Sequence, residues 1–274
     1  MQADDTYQPD LFMAVDRSAT PKNSITEMEL PLWSLGKRVD IKPREFSIKG
    51  VKYNIEPSRF GMPNMEDKNL LVYALGQAAA IYRSQEVLPE AITFPVWEFL
   101  HSAGKSDSVT SYKAIELAID RLDGCRIKRR YANEAGAEVY ESMGFFQKIR
   151  LVKSDIAMIE IEFTKHALAS IKNHESEFLA HHTDYYKMAG LEKRAYEIAR
   201  KFCGLKTSWK YNFNNPDFCT RWNPAIEPRR LKYQLKEIFG GAGKKLGEYI
   251  VRWEESDNAM YFSRFKTIAP GELD

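Results

Sequence analysis

The stretch Pro228–Phe239 constrains this chain more than any other. Leu231, Leu235 and Ile238 recur at the spacing of one helical face, while Arg229, Lys232, Tyr233 and Lys236 fall on the opposite face. Pro228 suits the first helical position, where a missing amide hydrogen is no loss. A helix divided in this way must lay its apolar stripe on a core and hold its cations outside. Three long donors and an aromatic ring on a projecting helix match a DNA major groove, which is lined by phosphates and acceptor-rich base edges. Arg230, Lys244, Lys245 and Arg252 flank this face as expected phosphate contacts. The acidic turn Glu254-Glu255-Ser256-Asp257 should stand away from a phosphate backbone.

The elements around this helix form a pattern that occurs twice. In the first half, the apolar spacing predicts a helix over 68–83 capped by Asp67, a strand over 91–94 and a short helix over 96–101. Next come a helix with Tyr112, Ile115, Ile119 and Leu122 inward, capped by Ser106 or Asp107, and β segments over 125–132, 139–152 and 157–163. In the second half, a helix over 191–203 precedes a strand over 209–213, a short helix capped by Asn215, the helix over 229–239, and a closing hairpin over 249–253 and 260–265. Helix, strand, helix, helix, hairpin is the winged form of the helix-turn-helix. The expected fold is therefore α+β: two tandem winged-helix domains, preceded by a flexible arm and a β-hairpin around Lys49-Gly50. The arm spans residues 1–23, which are polar and broken by Pro9 and Pro21; the domains span 24–172 and 173–274, joined by a helix from Lys165 to about His181.

The net charge of the 274 residues is only +2, but it is unevenly spread. From Tyr186 onward there are 17 Lys/Arg against 11 Asp/Glu, leaving the preceding part net acidic. The basic half contains the cationic helix, and such asymmetry points to a polyanionic partner. Three cysteines without a CxxC spacing fit free thiols in a reducing cytoplasm. No apolar run is long enough for a membrane span, and no partner membrane is expected.

Further candidates lie in the first half. Ser108, Thr110, Ser111 and Lys113 form the outward start of a helix, where hydroxyls can bond phosphates or simply cap the helix. Alternation along the strand over 125–132 places Arg126, Lys128 and Arg130 on one face, either as a DNA-backbone strip or as a charged edge that resists aggregation. In the arm, Gln8, Asp10, Leu11 and Phe12 resemble the bacterial sliding-clamp-binding motif. Leucine and phenylalanine in a polar segment have no core to enter and suit a partner's pocket.

Catalytic signatures are weak. Gly240–Lys245 lacks the spacing, the hydroxyl residue and the strand-to-helix order of a phosphate-binding loop. The pairs His181-His182 and Tyr185-Tyr186 invite a nickase reading, but adjacent histidines diverge and cannot readily share one metal. The histidines show no ligand spacing, and no cofactor or metal is expected.

The segment Leu191-Glu192-Lys193-Arg194-Ala195-Tyr196-Glu197-Ile198-Ala199-Arg200-Lys201-Phe202-Cys203-Gly204 resembles the signature helix of plasmid replication initiators of the replication initiator protein A type. Asp67–Ala74 resembles that family's first helix, and the stretch from Tyr112 through Arg121-Leu122 to Arg126-Ile127 is similar in layout. The resemblance runs from about residue 30 to 266. It implies tandem winged helices on repeated sites (iterons) in a plasmid origin, opening of an AT-rich segment, and recruitment of host proteins such as the replicative helicase and the host initiator. It also implies a possible homodimer through the first domain, with a monomer–dimer balance tuning copy number. The expectation is a cytoplasmic, plasmid-associated protein without enzymatic activity. Its rivals are a transcriptional repressor on the same fold and a rolling-circle nickase.

Overall fold

The computed structural model describes residues 19, 22–24, 28–36, 38–172 and 178–265. The chain is α+β, and its elements follow the expected order in both halves. In the first half a hairpin, β2 (Arg44–Ile48) and β3 (Val51–Glu56), turns at Lys49-Gly50, as the sequence suggests. Helix α1 (Lys68–Gln85) follows, then β4 (Ala91–Pro95), α2 (Val96–Ser102) and α3 (Val109–Gly124). Strands β5 (Arg126–Ala132), β6 (Glu138–Met143), β7 (Lys148–Val152) and β8 (Met158–Glu162) come next, then α4 (Lys165–Lys172).

The four β segments are shared between two sheets. β2-β3-β5-β6 form one antiparallel sheet and β4-β8-β7 another. The expected single strand over 139–152 is thus two strands, because Gly144-Phe145-Phe146 leaves the first sheet and buries both phenylalanines. Helix α1 is buried on every side from Lys68 to Ala80, as suits a scaffold between layers. Asp67 does not cap it. Its carboxylate accepts from the amide of Asn64 at 2.8 Å and from the guanidinium of Arg121 at 2.6 and 2.7 Å.

The second half begins with β9 (Phe178–Ala180) and a 3-10 turn over Thr183–Lys187. Helix α5 (Gly190–Ile198) widens into a π turn over Ala199–Cys203. Then come β10 (Ser208–Asn212), α6 (Phe218–Trp222), α7 (Pro228–Phe239), β11 (Lys244–Leu246), β12 (Tyr249–Glu254) and β13 (Ala259–Arg264). These last strands form one sheet in the order β10-β13-β12-β11.

Two expectations about the joints fail. Lys22 and Asn23, placed in the arm, belong to β1 (Lys22–Ser24), which pairs antiparallel with β9. The joining helix, described over Lys165–Lys172, does not run to His181, and 178–180 are extended because β1 supplies their hydrogen bonds. The halves also share one continuous hydrophobic core, from Leu30 and Trp33 through Leu71 and Ala195 to Trp222 and Phe262. Among the described residues, no helix is long and apolar enough to cross a membrane.

Candidate nucleic-acid interface

Helix α7 projects its cations as its spacing requires. Leu231, Leu235 and Phe239 are sealed against the second half, with Ile238 half-buried beside them. Arg229 and Arg230 are exposed, and neither has an ion pair among the described residues. Tyr233 is 67% exposed, unusual for a ring unless a ligand covers it. The Lys232 ammonium lies 5.6 Å from the Trp253 ring centroid and 5.7 Å from that of Phe213, which steadies its stem against the β12–β13 hairpin.

Lys236 is not free. Its ammonium donates to Glu255 at 2.7 Å, and the other oxygen of Glu255 accepts from the Trp253 indole at 2.8 Å. These two bonds hold the Glu255 carboxyl below the usual carboxylate range. The acidic hairpin turn therefore folds onto the helix and neutralises its last cation. Lys244 pairs with Glu192, and Arg252 with Glu254 at 3.3 Å. Lys245 lies over the Phe265 ring at 4.5 Å. Of the expected cationic contacts in the second half, Arg229, Arg230, Lys232 and Lys245 thus lack a carboxylate partner among the described residues. The glycine run between α7 and β11 is a turn. Gly243 has φ +79°, and a Cβ there would sit 2.7 Å from the Val251 carbonyl oxygen.

In the first half the hydroxyls expected on phosphate are spent on the helix start. Ser108 caps α3 by accepting from the Ser111 amide at 3.3 Å, and Ser111 donates to the Ser106 carbonyl at 2.7 Å. Thr110 and Lys113 remain exposed. Arg126, Lys128 and Arg130 do share one sheet face, but Lys128 pairs with Glu56 and Arg126 donates to the Ser142 carbonyl at 3.1 Å. Arg130 stacks over Tyr140. The arm residues Gln8, Asp10, Leu11 and Phe12 lie outside the described residues.

The histidine–tyrosine cluster is a core. His181 stacks on Tyr185 at 4.2 Å, and Tyr185 is fully buried and donates to Glu197 at 2.6 Å. Burial, then the charge of Glu197, pushes the Tyr185 phenol well above its ordinary value. Tyr186 is buried as well. Neither phenol oxygen is placed to attack a phosphodiester.

Sequence reasoning missed what helix α5 buries. Lys193 donates to the Met65 carbonyl, Glu66 and Asn69 at 3.0–3.2 Å. Arg194 donates to the carbonyls of Met28 at 2.7 Å, Glu29 at 2.9 Å and Arg221 at 2.9 Å. Glu29 in turn meets Arg221, Lys49 at 3.0 Å and Lys201 at 3.5 Å. The sealed charges on α5 therefore connect the two halves. The density of charges in a helix with a full apolar stripe was the one signal available for this.

The family model of replication initiator protein A matches residues 22–249. This chain belongs to that family. A relative from Wigglesworthia glossinidia brevipalpis, which bears a provisional replication-protein name, is 26% identical over 263 residues, covering 93% of each chain. Two crystal structures of domains 2 and 3 of RctB share the fold of this family member. One has a TM-score of 0.58 at 17% identity, covering 85% of this chain and 94% of that one; the other has 0.54 at 16%, covering 88% and 96%. Helix α5, whose residues resemble the family's signature helix, is the segment that docks one half on the other.

Proposed function

We propose that this chain is a sequence-specific initiator of plasmid replication, without enzymatic activity, that reads repeated duplex sites in an origin through two winged-helix domains. The observation that carries this reading is α7: Leu231, Leu235 and Phe239 anchor it, and Arg229, Arg230 and Tyr233 stand in solvent. In this reading α7 enters a major groove, with Arg229 and Arg230 donating to guanine edges or phosphates and Lys245 to the backbone. Helix α3, through Thr110 and Lys113, approaches a neighbouring groove or backbone. Origin opening, recruitment of the replicative helicase and host initiator, a clamp-binding arm at Gln8–Phe12 and a dimer through the first half complete the proposal. The protein would act in the bacterial cytoplasm, on its plasmid.

A footprint of the protein on its own plasmid tests the reading. Protection of regularly spaced repeats, with permanganate-reactive thymines in an adjoining AT-rich segment, is the expected result. Protection without unpaired thymines would instead favour a repressor on the same fold. Absence of any protected repeat would refute the reading.

A further inference from the structure

The β2-β3-β5-β6 sheet turns one face away from the core. Strand register places Ser47, Lys52, Arg130 and Tyr140 in a single row across all four strands. The adjoining row is Glu45, Asn54, Lys128 and Ser142. Most of these residues line a shallow groove of about 560 Å³. Tyr140 is 56% exposed, with the Arg130 guanidinium 4.9 Å from its ring centroid. Lys52 and Arg130 are exposed and have no carboxylate partner among the described residues.

An aromatic ring left in water beside unpaired cations suits a ligand with both flat apolar faces and negative charge. Nucleic acid has both, and the shape of the sheet decides between its forms. Four strands spaced about 4.8 Å apart span roughly 14 Å, wider than a major groove of about 12 Å. The sheet cannot lie flat inside a duplex groove. A duplex resting on it could offer phosphates to Lys52 and Arg130, but its stacked bases could not reach Tyr140. An unpaired strand offers both groups: phosphates to Ser47 and Lys52, and a base to the Tyr140–Arg130 stack.

We propose that this open sheet face is a binding site for single-stranded DNA. The strand would run along the row from Ser47 to Tyr140, across the β-strands. Stacking on Tyr140 and Arg130 tolerates any base, and the row offers no fixed set of donors and acceptors that would read one. The proposal rests on the reading of the chain as an initiator that opens its origin, because opening supplies the unpaired strand. It gives the sheet face a ligand different from the duplex assigned to α3 and α7.

The test uses the full chain with a fluorescent oligothymidylate and a fluorescent duplex of arbitrary sequence, followed by anisotropy. Tyr140→Ala is expected to weaken the single-strand complex on the order of tenfold and to leave the duplex complex unchanged. Tyr140→Phe should bind both as the parent does. Lys52→Ala should lower the single-strand salt slope by roughly 0.7. Because these side chains are exposed, the variants should fold, and an unchanged melting temperature would verify it. Failure of the parent to bind oligothymidylate, or unchanged binding by Tyr140→Ala, would overturn the site. Equal losses on both ligands would overturn it too, in favour of a duplex-backbone strip. An intact origin footprint beside any of these results leaves the initiator reading standing.

Discussion

The Lys68 ammonium and the Glu197 carboxylate meet at 2.7 Å, although both side chains are fully buried and lie 129 residues apart. Glu197 also accepts from Tyr185 at 2.6 Å and faces Arg194 at 3.5 Å. Two cations and a phenol therefore depend on one carboxylate. Such an arrangement is costly to break from one side, because the charges left behind cannot reach water. Glu197→Ala is expected to destabilise the chain by about 3–5 kcal/mol in urea denaturation. Lys68→Met should cost less, because Glu197 keeps its other two donors. A Lys68→Met variant as unstable as Glu197→Ala would contradict this ordering.

Arg229 is the sharpest probe of the proposed duplex interface, because it is exposed and has no ion pair among the described residues. Arg229→Ala should weaken specific binding by about 1–3 kcal/mol, and relax sequence preference if its contact is to a base. The unfolding midpoint should not move. Unchanged affinity and an unchanged footprint would remove Arg229 from the interface.

Glu255 pairs with Lys236 at 2.7 Å. Glu255→Gln should release that cation to the duplex. Affinity for arbitrary duplex should rise, and the slope of log affinity against log salt should steepen by about 0.9. A salt titration identical to the parent's would show that Lys236 does not reach the DNA even when released.

His181 sets a pH limit on stability. Burial first, then the charges of Lys68 and Arg200, keep its pKa well below 6.5. Neither ring nitrogen has a hydrogen-bond partner among the described residues. The unfolded chain takes up a proton near pH 6.5 that the folded chain refuses, so stability falls as the pH drops below that value. The slope approaches 1.4 kcal/mol for each pH unit. The carboxyls held low in the fold, Glu29 and Glu66, respond only below about 4.5 and act in a separate window. His181→Phe keeps the ring on Tyr185 and should flatten the profile between about pH 6.5 and 5. Parallel denaturation profiles for parent and variant would sink this assignment.

The parts of the fold visible in the sequence are those set by neighbours in the chain. The α7 stripe and Pro228 place that helix to within a residue. Lys49-Gly50 places the first hairpin. What stayed hidden depends on distant partners. Lys193, Arg194 and Glu197 fall where a surface helix would show its polar side, and only the fold brings Met28, Asp67's neighbour Glu66, and Lys68 against them. Asp67 has the chemistry of a cap but is claimed by Arg121, 54 residues on. Likewise the acidic turn at Glu255 could be read only as a poor phosphate neighbour until its contact with Lys236 was known. Periodicity reports which side of a helix is apolar, and it is silent on whether a charged side meets water or an opposing charge.

The sealed bonds of α5 have a geometric consequence for any DNA the two halves grip together. Rocking one half against the other would strip Lys193 of its partners and Arg194 of the Met28 and Glu29 carbonyls at once, so the separation between two such grips would be built into the protein like the jaws of a caliper. DNA turns about 34° for every base pair inserted. A single extra pair between the gripped segments would already swing one of them out of phase with its jaw.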